Sequence, residues 1–137
     1  MMAIFQNQVL KGMTILAVED QEDLREMLTA LLEQQGAEVI GCRSACEAFA
    51  VLISGASIDA AVFDISMPGE DGLALVWRFR QWESSRAPGH LPVIALTALV
   101  SGDMPGQCAA AGFDHYLSKP VSPGVLFSTL RRLAPTH

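Results

Sequence analysis

The sequence predicts an α/β domain: a parallel sheet with helices on both faces. Three observations predict it. Five short apolar runs alternate with five longer segments of helical character along 137 residues. Four of those runs finish on a polar or charged side chain. Mean hydropathy is +0.31, yet no apolar run approaches the roughly 18 residues of a membrane span. Parallel strands, apolar on both faces because helices cover both, account for that hydropathy. The β-α order repeated five times implies such a sheet, and right-handed crossovers restrict its topology.

Residues 1–12 lack periodicity and form a lead-in segment. A strand is predicted over 14–18. Asp20 is placed to cap the next helix, whose Leu24, Met27, Leu28 and Leu31 share one face. Gly36 stops it, because glycine suits the left-handed position after a helix. A short strand follows at 38–41. Ser44-Ala45-Cys46-Glu47 has the form of a capping box and opens a helix carrying Phe49, Leu52 and Ile53 that ends by Gly55. The third strand is 60–64. Ser66-Met67-Pro68-Gly69-Glu70-Asp71-Gly72 has loop chemistry. The next helix buries Leu73, Val76, Trp77 and either Phe79 or the stem of Arg80, and breaks at residues 84–89. The fourth strand is 92–97. Residues 101–111 form a poor helix, in which Pro105 is tolerable only within the first turn and Gly106 costs about 1 kcal/mol relative to alanine. The last strand is 115–118 and the last helix 122–133. One domain, 13–133, with a tail at 134–137, suits this length.

Ligands of an open parallel sheet bind outside the carboxyl ends of its strands. Glu19, Asp20, Asp64, Thr97 and Lys119 all fall at such ends. Adjacent carboxylates repel unless a cation lies between them, by on the order of 4 kcal/mol for charges 4 Å apart at an effective dielectric near 20. Three carboxylates suit Mg²⁺ or Mn²⁺. An aspartate can accept a phosphoryl group, a lysine ammonium can neutralise one, and a threonine hydroxyl can donate to its oxygens. Each residue alone has a plainer reading: Asp20 as a helix cap, Asp64 as a turn former, Thr97 as a β-branched strand end, Lys119 as a solvated cation. Their joint placement on strands one, three, four and five points to a divalent cation and a phosphoryl group. Lys119 precedes Pro120, which restricts its backbone and admits a cis bond.

Composition excludes several classes. Net charge is −6, the sequence pI is about 4.9, and Arg131-Arg132 is the sole compact basic pair near an end, so direct nucleic-acid binding is not expected. The N-terminus lacks a signal-peptide pattern. Cys42, Cys46 and Cys108 show no Cys-x-x-Cys spacing, which fits a reduced, cytoplasmic protein. No membrane insertion is expected.

Val18-Glu19-Asp20, residues 63–72, Leu96-Thr97-Ala98 and Tyr116-Leu117-Ser118-Lys119-Pro120 together resemble the receiver domain of two-component response regulators, over nearly all of 13–133. Residues 112–120 also resemble receivers attached to hybrid histidine kinases. The resemblance implies a flavodoxin-like fold with strand order 2-1-3-4-5. It implies that Asp64 accepts a phosphoryl group from a kinase phosphohistidine, and that Asp20, Asp64 and the Ser66 backbone carbonyl contact Mg²⁺, with Glu19 acting directly or through water. Lys119 and Thr97 would bind phosphoryl oxygens, and Tyr116 would be the switch aromatic that follows Thr97. The implied partners are a sensor histidine kinase or a histidine phosphotransfer protein, and a downstream protein on the surface of the fourth helix, fifth strand and last helix. Catalysis would be limited to the domain's own phosphorylation and dephosphorylation. A homodimer stays open, as does the choice between a stand-alone regulator and part of a hybrid kinase.

Two rival readings have distinct signatures. A Mg²⁺-dependent phosphatase working through an aspartyl phosphate would want a second aspartate two residues after Asp64, where Ser66 stands. An interaction module that is never phosphorylated would not need Asp64 and Lys119. No Walker or Gly-x-Gly-x-x-Gly motif occurs, and His90, His115 and His137 lack zinc-ligand spacing.

Overall fold

The computed structural model describes residues 8–65, 72–86, 89–98 and 104–134. Ten elements alternate: β1 Thr14–Val18, α1 Glu22–Gln34, β2 Glu38–Cys42, α2 Ala45–Leu52, β3 Ala60–Asp64, α3 Gly72–Ser84, β4 Val93–Thr97, α4 Met104–Ala111, β5 His115–Ser118 and α5 Pro123–Leu133. All four pairings are parallel, in the order β2-β1-β3-β4-β5. This is the flavodoxin-like order, and it puts the crevice where β1 and β3 part company. Among the described residues, no helix is long and apolar enough to cross a membrane.

Strand side chains alternate between faces, which divides the core in two. Leu16, Val18, Ala61, Phe63, Val93 and Ala95 meet α2, α3 and α4. Ile15, Ala60, Val62, Ile94 and Leu96 meet Leu32 of α1 and Leu126 and Leu130 of α5. β3 and β4 are buried along their whole length, so the last residue of each is drawn inside as well.

Several local expectations change. α1 begins at Glu22 with Gln21 as its cap residue, without a side-chain capping bond; Asp20 is not the cap. Of the apolar face expected on α1, Leu24 and Met27 stay 39% and 58% exposed, and the buried residue is Leu32. In α3 the buried stripe is Gly72, Leu75, Val76 and Phe79. Trp77 falls outside that i, i+3, i+4 stripe and is exposed. Ile53, expected within α2, is its C-cap residue and is exposed. The capping box holds in one half: Ser44 Oγ accepts from Glu47 N at 3.0 Å, whereas the Glu47 carboxylate takes the Arg43 amide at 2.9 Å. α4 is described from Met104, with Pro105 in its first turn as expected; residues 101–103 lie outside the described residues.

The described end of the lead-in, from residue 8, is anchored. Leu10 is fully buried and its amide donates to Gln35 O at 2.9 Å. Gly36, at φ +95°, lets the chain pass Lys11, whose Cα would lie 2.9 Å from any added Cβ.

At the opposite end of the sheet from the strand C-termini, Arg80 ties α3 to the α4–β5 turn. Its Nε donates to Gly112 O at 3.0 Å, and its guanidinium pairs with Glu83 at 2.8 Å and Asp114 at 2.9 Å. Asp114 also accepts the Val93 amide at 2.8 Å and lies 2.7 Å from His90 Nε2. Asp114→Ala strands these donors, at about 1–3 kcal/mol for unsatisfied polar groups. A lower urea midpoint with an unchanged m-value is expected. An unchanged midpoint would show that water replaces the carboxylate without loss.

Candidate functional site

Sheet register assembles the polar strand ends. Val18 of β1 pairs with Phe63 of β3, so Glu19 and Asp64 leave neighbouring strands at the same level. Asp64 pairs with Leu96 and Thr97 with Ser118, which brings Lys119 to the same edge. The Lys119 amide donates to Thr97 O at 2.8 Å, fixing the start of the β5–α5 loop, and the Lys119–Pro120 peptide is cis.

Glu19, Asp20 and Asp64 each place a carboxylate oxygen within 4.8 Å of the others. Lys119 Nζ lies 3.0 Å from Asp64 Oδ2 and 3.8 Å from Glu19 Oε1. Glu19 and Asp64 are each 4% exposed and Thr97 is fully buried. Burying a charge is costly unless it is paired; one ammonium stands against three carboxylates. Glu19 responds: burial pushes its carboxyl up to about 7, and the adjoining Asp64 carboxyl adds to the rise. The Gln21 amide, donating to Glu19 Oε2 at 3.1 Å, and Lys119 act in the opposite direction.

This donor set fits Mg²⁺. All ligands are hard oxygens, as Mg²⁺ requires, and it is bound by one or two carboxylates with retained waters. A divalent cation would neutralise the carboxylates crowded into this pocket, where burial otherwise leads Glu19 to hold a proton. Mn²⁺ accepts the same ligands.

The raised Glu19 value carries a sign. Unfolded, this carboxyl loses its proton near 4.5; folded, it keeps it to about 7. The folded chain therefore binds more protons in that window, and stability falls as pH rises through it. The metal-free domain is expected to lose on the order of 1–3 kcal/mol between about pH 4.5 and 7. Glu19→Gln should flatten that slope in urea midpoints measured without divalent cations. Equal slopes for both proteins would count against it.

The expected residues are distributed as follows. Glu19, Asp20, Asp64 and Lys119 come together, with Thr97 at the same edge. Tyr116 is half-buried against the core on the α2–α4 face. Ser66 lies outside the described residues, as does the rest of the loop 66–71.

Two features had no part in the sequence reading. Arg25, in the first turns of α1, donates from Nη1 to Glu19 O at 2.9 Å, with a longer 3.5 Å contact to Asp20 O. A cation near a helix N-terminus opposes the helix dipole, and that mismatch was a readable signal. The second is an apolar groove of about 260 Å³ beside Lys119 and Glu19, lined by Leu24, Met27, Leu28, Leu31, Pro123 and Leu126.

Comparison with known proteins bears on this geometry. The sequence model of the family described as response regulator receiver domain matches residues 15–131. An uncharacterized 14.6 kDa protein from the sodA1 3′ region of Leptolyngbya boryana is 37% identical over 116 residues, covering 85% of this chain and 86% of that protein. Sensor protein GacS of Pseudomonas syringae pv. syringae is 32% identical over 108 residues, 79% of this chain but 12% of its own length. The chain thus spans a small part of that much longer relative. Among solved structures, the receiver domain of the histidine kinase CKI1 from Arabidopsis thaliana, complexed with Mg²⁺ and BeF₃⁻, superposes with a TM-score of 0.83 at 26% identity, covering 95% of each chain.

Proposed function

The chain belongs to the response regulator receiver domain family, and we propose on that premise that Asp64 is its phosphoacceptor. The domain is a signalling module of two-component or phosphorelay systems, not an enzyme with a separate substrate. The observation that carries the assignment of Asp64 is its position: the buried carboxylate 3.0 Å from the Lys119 ammonium and within 4.8 Å of the Glu19 and Asp20 oxygens.

An Asp64 carboxylate oxygen attacks the phosphorus of a donor phosphohistidine. The O–P bond forms as the N–P bond breaks, and the freed imidazole takes a proton from solvent. Mg²⁺, held by Asp20, Asp64 and the Ser66 carbonyl with Glu19 directly or through water, would supply positive charge to the phosphoryl oxygens. Lys119 takes a phosphoryl oxygen as a point charge, and Thr97 donates its hydroxyl to another. The acyl phosphate adds about −1.5 to −2 charges at the end of β3. Thr97 moves toward it, Tyr116 fills the vacated space, and the α4-β5-α5 surface changes for a downstream protein. A few kcal/mol of bias between two states suffices.

The partner is a histidine kinase or a phosphotransfer protein, in keeping with the kinase receiver among the structural neighbours. The exposed Leu24 and Met27 beside the site give such a donor an apolar surface next to the acceptor. That neighbour's Mg²⁺ and BeF₃⁻ also support the metal assignment. The setting is cytoplasmic, and direct nucleic-acid contact is not part of this reading.

Incubation with Mg²⁺ and acetyl phosphate tests it. One phosphoryl group per chain is expected, and none with EDTA. Steady turnover of unrelated phosphate esters would favour a phosphatase. No uptake from any donor would favour an unphosphorylated interaction module.

A further inference from the structure

We infer that Arg25 is a positioning residue that sets the Mg²⁺ affinity of the acidic site by locking the backbone of Glu19 and Asp20. The inference rests on the metal reading above. β2 ends its pairing at Cys42, opposite Val18. The Glu19 amide still reaches Cys42 O at 3.0 Å, but the strand pairing goes no further, so the Glu19 carbonyl needs another donor. A backbone carbonyl leaving a sheet needs a partner. Arg25 supplies it from the following helix, at 2.9 Å, and reaches on to Asp20 O at 3.5 Å.

One guanidinium nitrogen, Nη1, faces both carbonyls: the 2.9 Å bond fixes the peptide plane between Glu19 and Asp20, and the 3.5 Å contact to Asp20 O lies at the outer limit of a hydrogen bond. Those two residues carry the carboxylates that meet Asp64. The Arg25 amide also closes the helix turn onto Gln21 O at 2.9 Å, and the Gln21 amide holds the Glu19 carboxylate at 3.1 Å. Backbone and side chain of Arg25 therefore brace the β1–α1 turn from both ends.

Gly41 of β2 keeps the lane open. A Cβ there would sit 3.6 Å from Arg25 Cδ and 3.7 Å from its Cγ. That is ordinary contact, so alanine fits, but a branched side chain would displace the arginine stem.

The sign of the effect separates positioning from charge. Removing a cation beside an acidic site would, through Coulomb attraction alone, tighten Mg²⁺ binding. Loss of positioning weakens it, and removal of partners that orient metal ligands typically costs 10–100-fold in affinity. Isothermal titration calorimetry of the whole chain with Mg²⁺ is therefore the test. Arg25→Ala should raise the Mg²⁺ Kd about 10-fold, the low end of that range. Gly41→Val should raise it in the same direction with Arg25 still present. Arg25→Lys, which keeps the charge and a single donor, should recover part of the loss and guards against Arg25→Ala failing to fold. An unchanged or tighter Kd in folded Arg25→Ala, or in folded Arg25→Lys if the alanine variant does not fold, would overturn the inference. If the wild-type chain itself bound no Mg²⁺, the metal reading and this inference would fall together.

Discussion

Asp64→Asn should take up no phosphoryl group, yet leave the metal-free domain at least as stable as the wild type. The amide oxygen is too weak a nucleophile to form the acyl phosphate, so labelled phosphoryl transfer should vanish under any donor. Stability moves for a separate reason. Asp64 lies against Glu19, whose carboxyl it helps to raise, and removing one of these like charges relieves repulsion. Against this stand the Lys119 ion pair at 3.0 Å, whose lysine is 27% exposed and which as a partly solvated pair contributes about 0–1 kcal/mol, and the side-chain hydrogen bond between Asp64 and Glu19, for which the asparagine carbonyl remains an acceptor. The balance is a gain of about 1 kcal/mol, read as a higher urea midpoint in EDTA. A destabilised Asp64→Asn would mean that the ion pair outweighs the crowding of acids. Residual one-to-one uptake would move the acceptor elsewhere.

Phe63→Ala should produce the largest loss of stability. Phe63 is fully buried in the core beneath α3 and α4, its ring edge-on to Phe113 with centroids 6.2 Å apart. Truncating such a residue costs about 3–5 kcal/mol in transfer and cavity terms, against a typical total of about 5–15 kcal/mol. The edge-to-face pair is part of that loss. Because Asp64 is the next residue on the same strand, the acceptor should also shift, and phosphoryl uptake should slow even where the variant is folded. Chemical denaturation and the uptake rate at low temperature measure the two effects separately. A loss under about 1 kcal/mol would mean that the core collapses to fill the space.

The sheet was readable from the sequence because its signals are local. The runs at 14–18, 60–64 and 93–97 are buried almost throughout, and burial on both faces demands continuous apolar character. The polar ends of β1, β3, β4 and β5 were readable for the same reason: a charge closing an apolar run is conspicuous. The covering of the helices was not. Periodicity finds an apolar face on α1 but does not say what packs against it, and Leu24 and Met27 line an open groove while Leu32 goes inside. Trp77 was misplaced because hydrophobicity was read where stripe geometry decides. Asp20 looked like a cap because its spacing allows one; in the fold it turns toward Asp64 and leaves Gln21 at the cap. Arg25 is legible only as a cation misplaced near a helix N-terminus; its partners are backbone carbonyls, which carry no sequence signature.

The central claim is that one pocket makes Asp64 a phosphoryl acceptor. Mass spectrometry of the chain after reaction with Mg²⁺ and acetyl phosphate, with the acyl phosphate trapped by borohydride reduction, reads the acceptor directly. A single modification at Asp64, absent in EDTA, is the predicted result. Modification of a histidine or another carboxylate, or labelling at Asp64 indifferent to Mg²⁺, would contradict it.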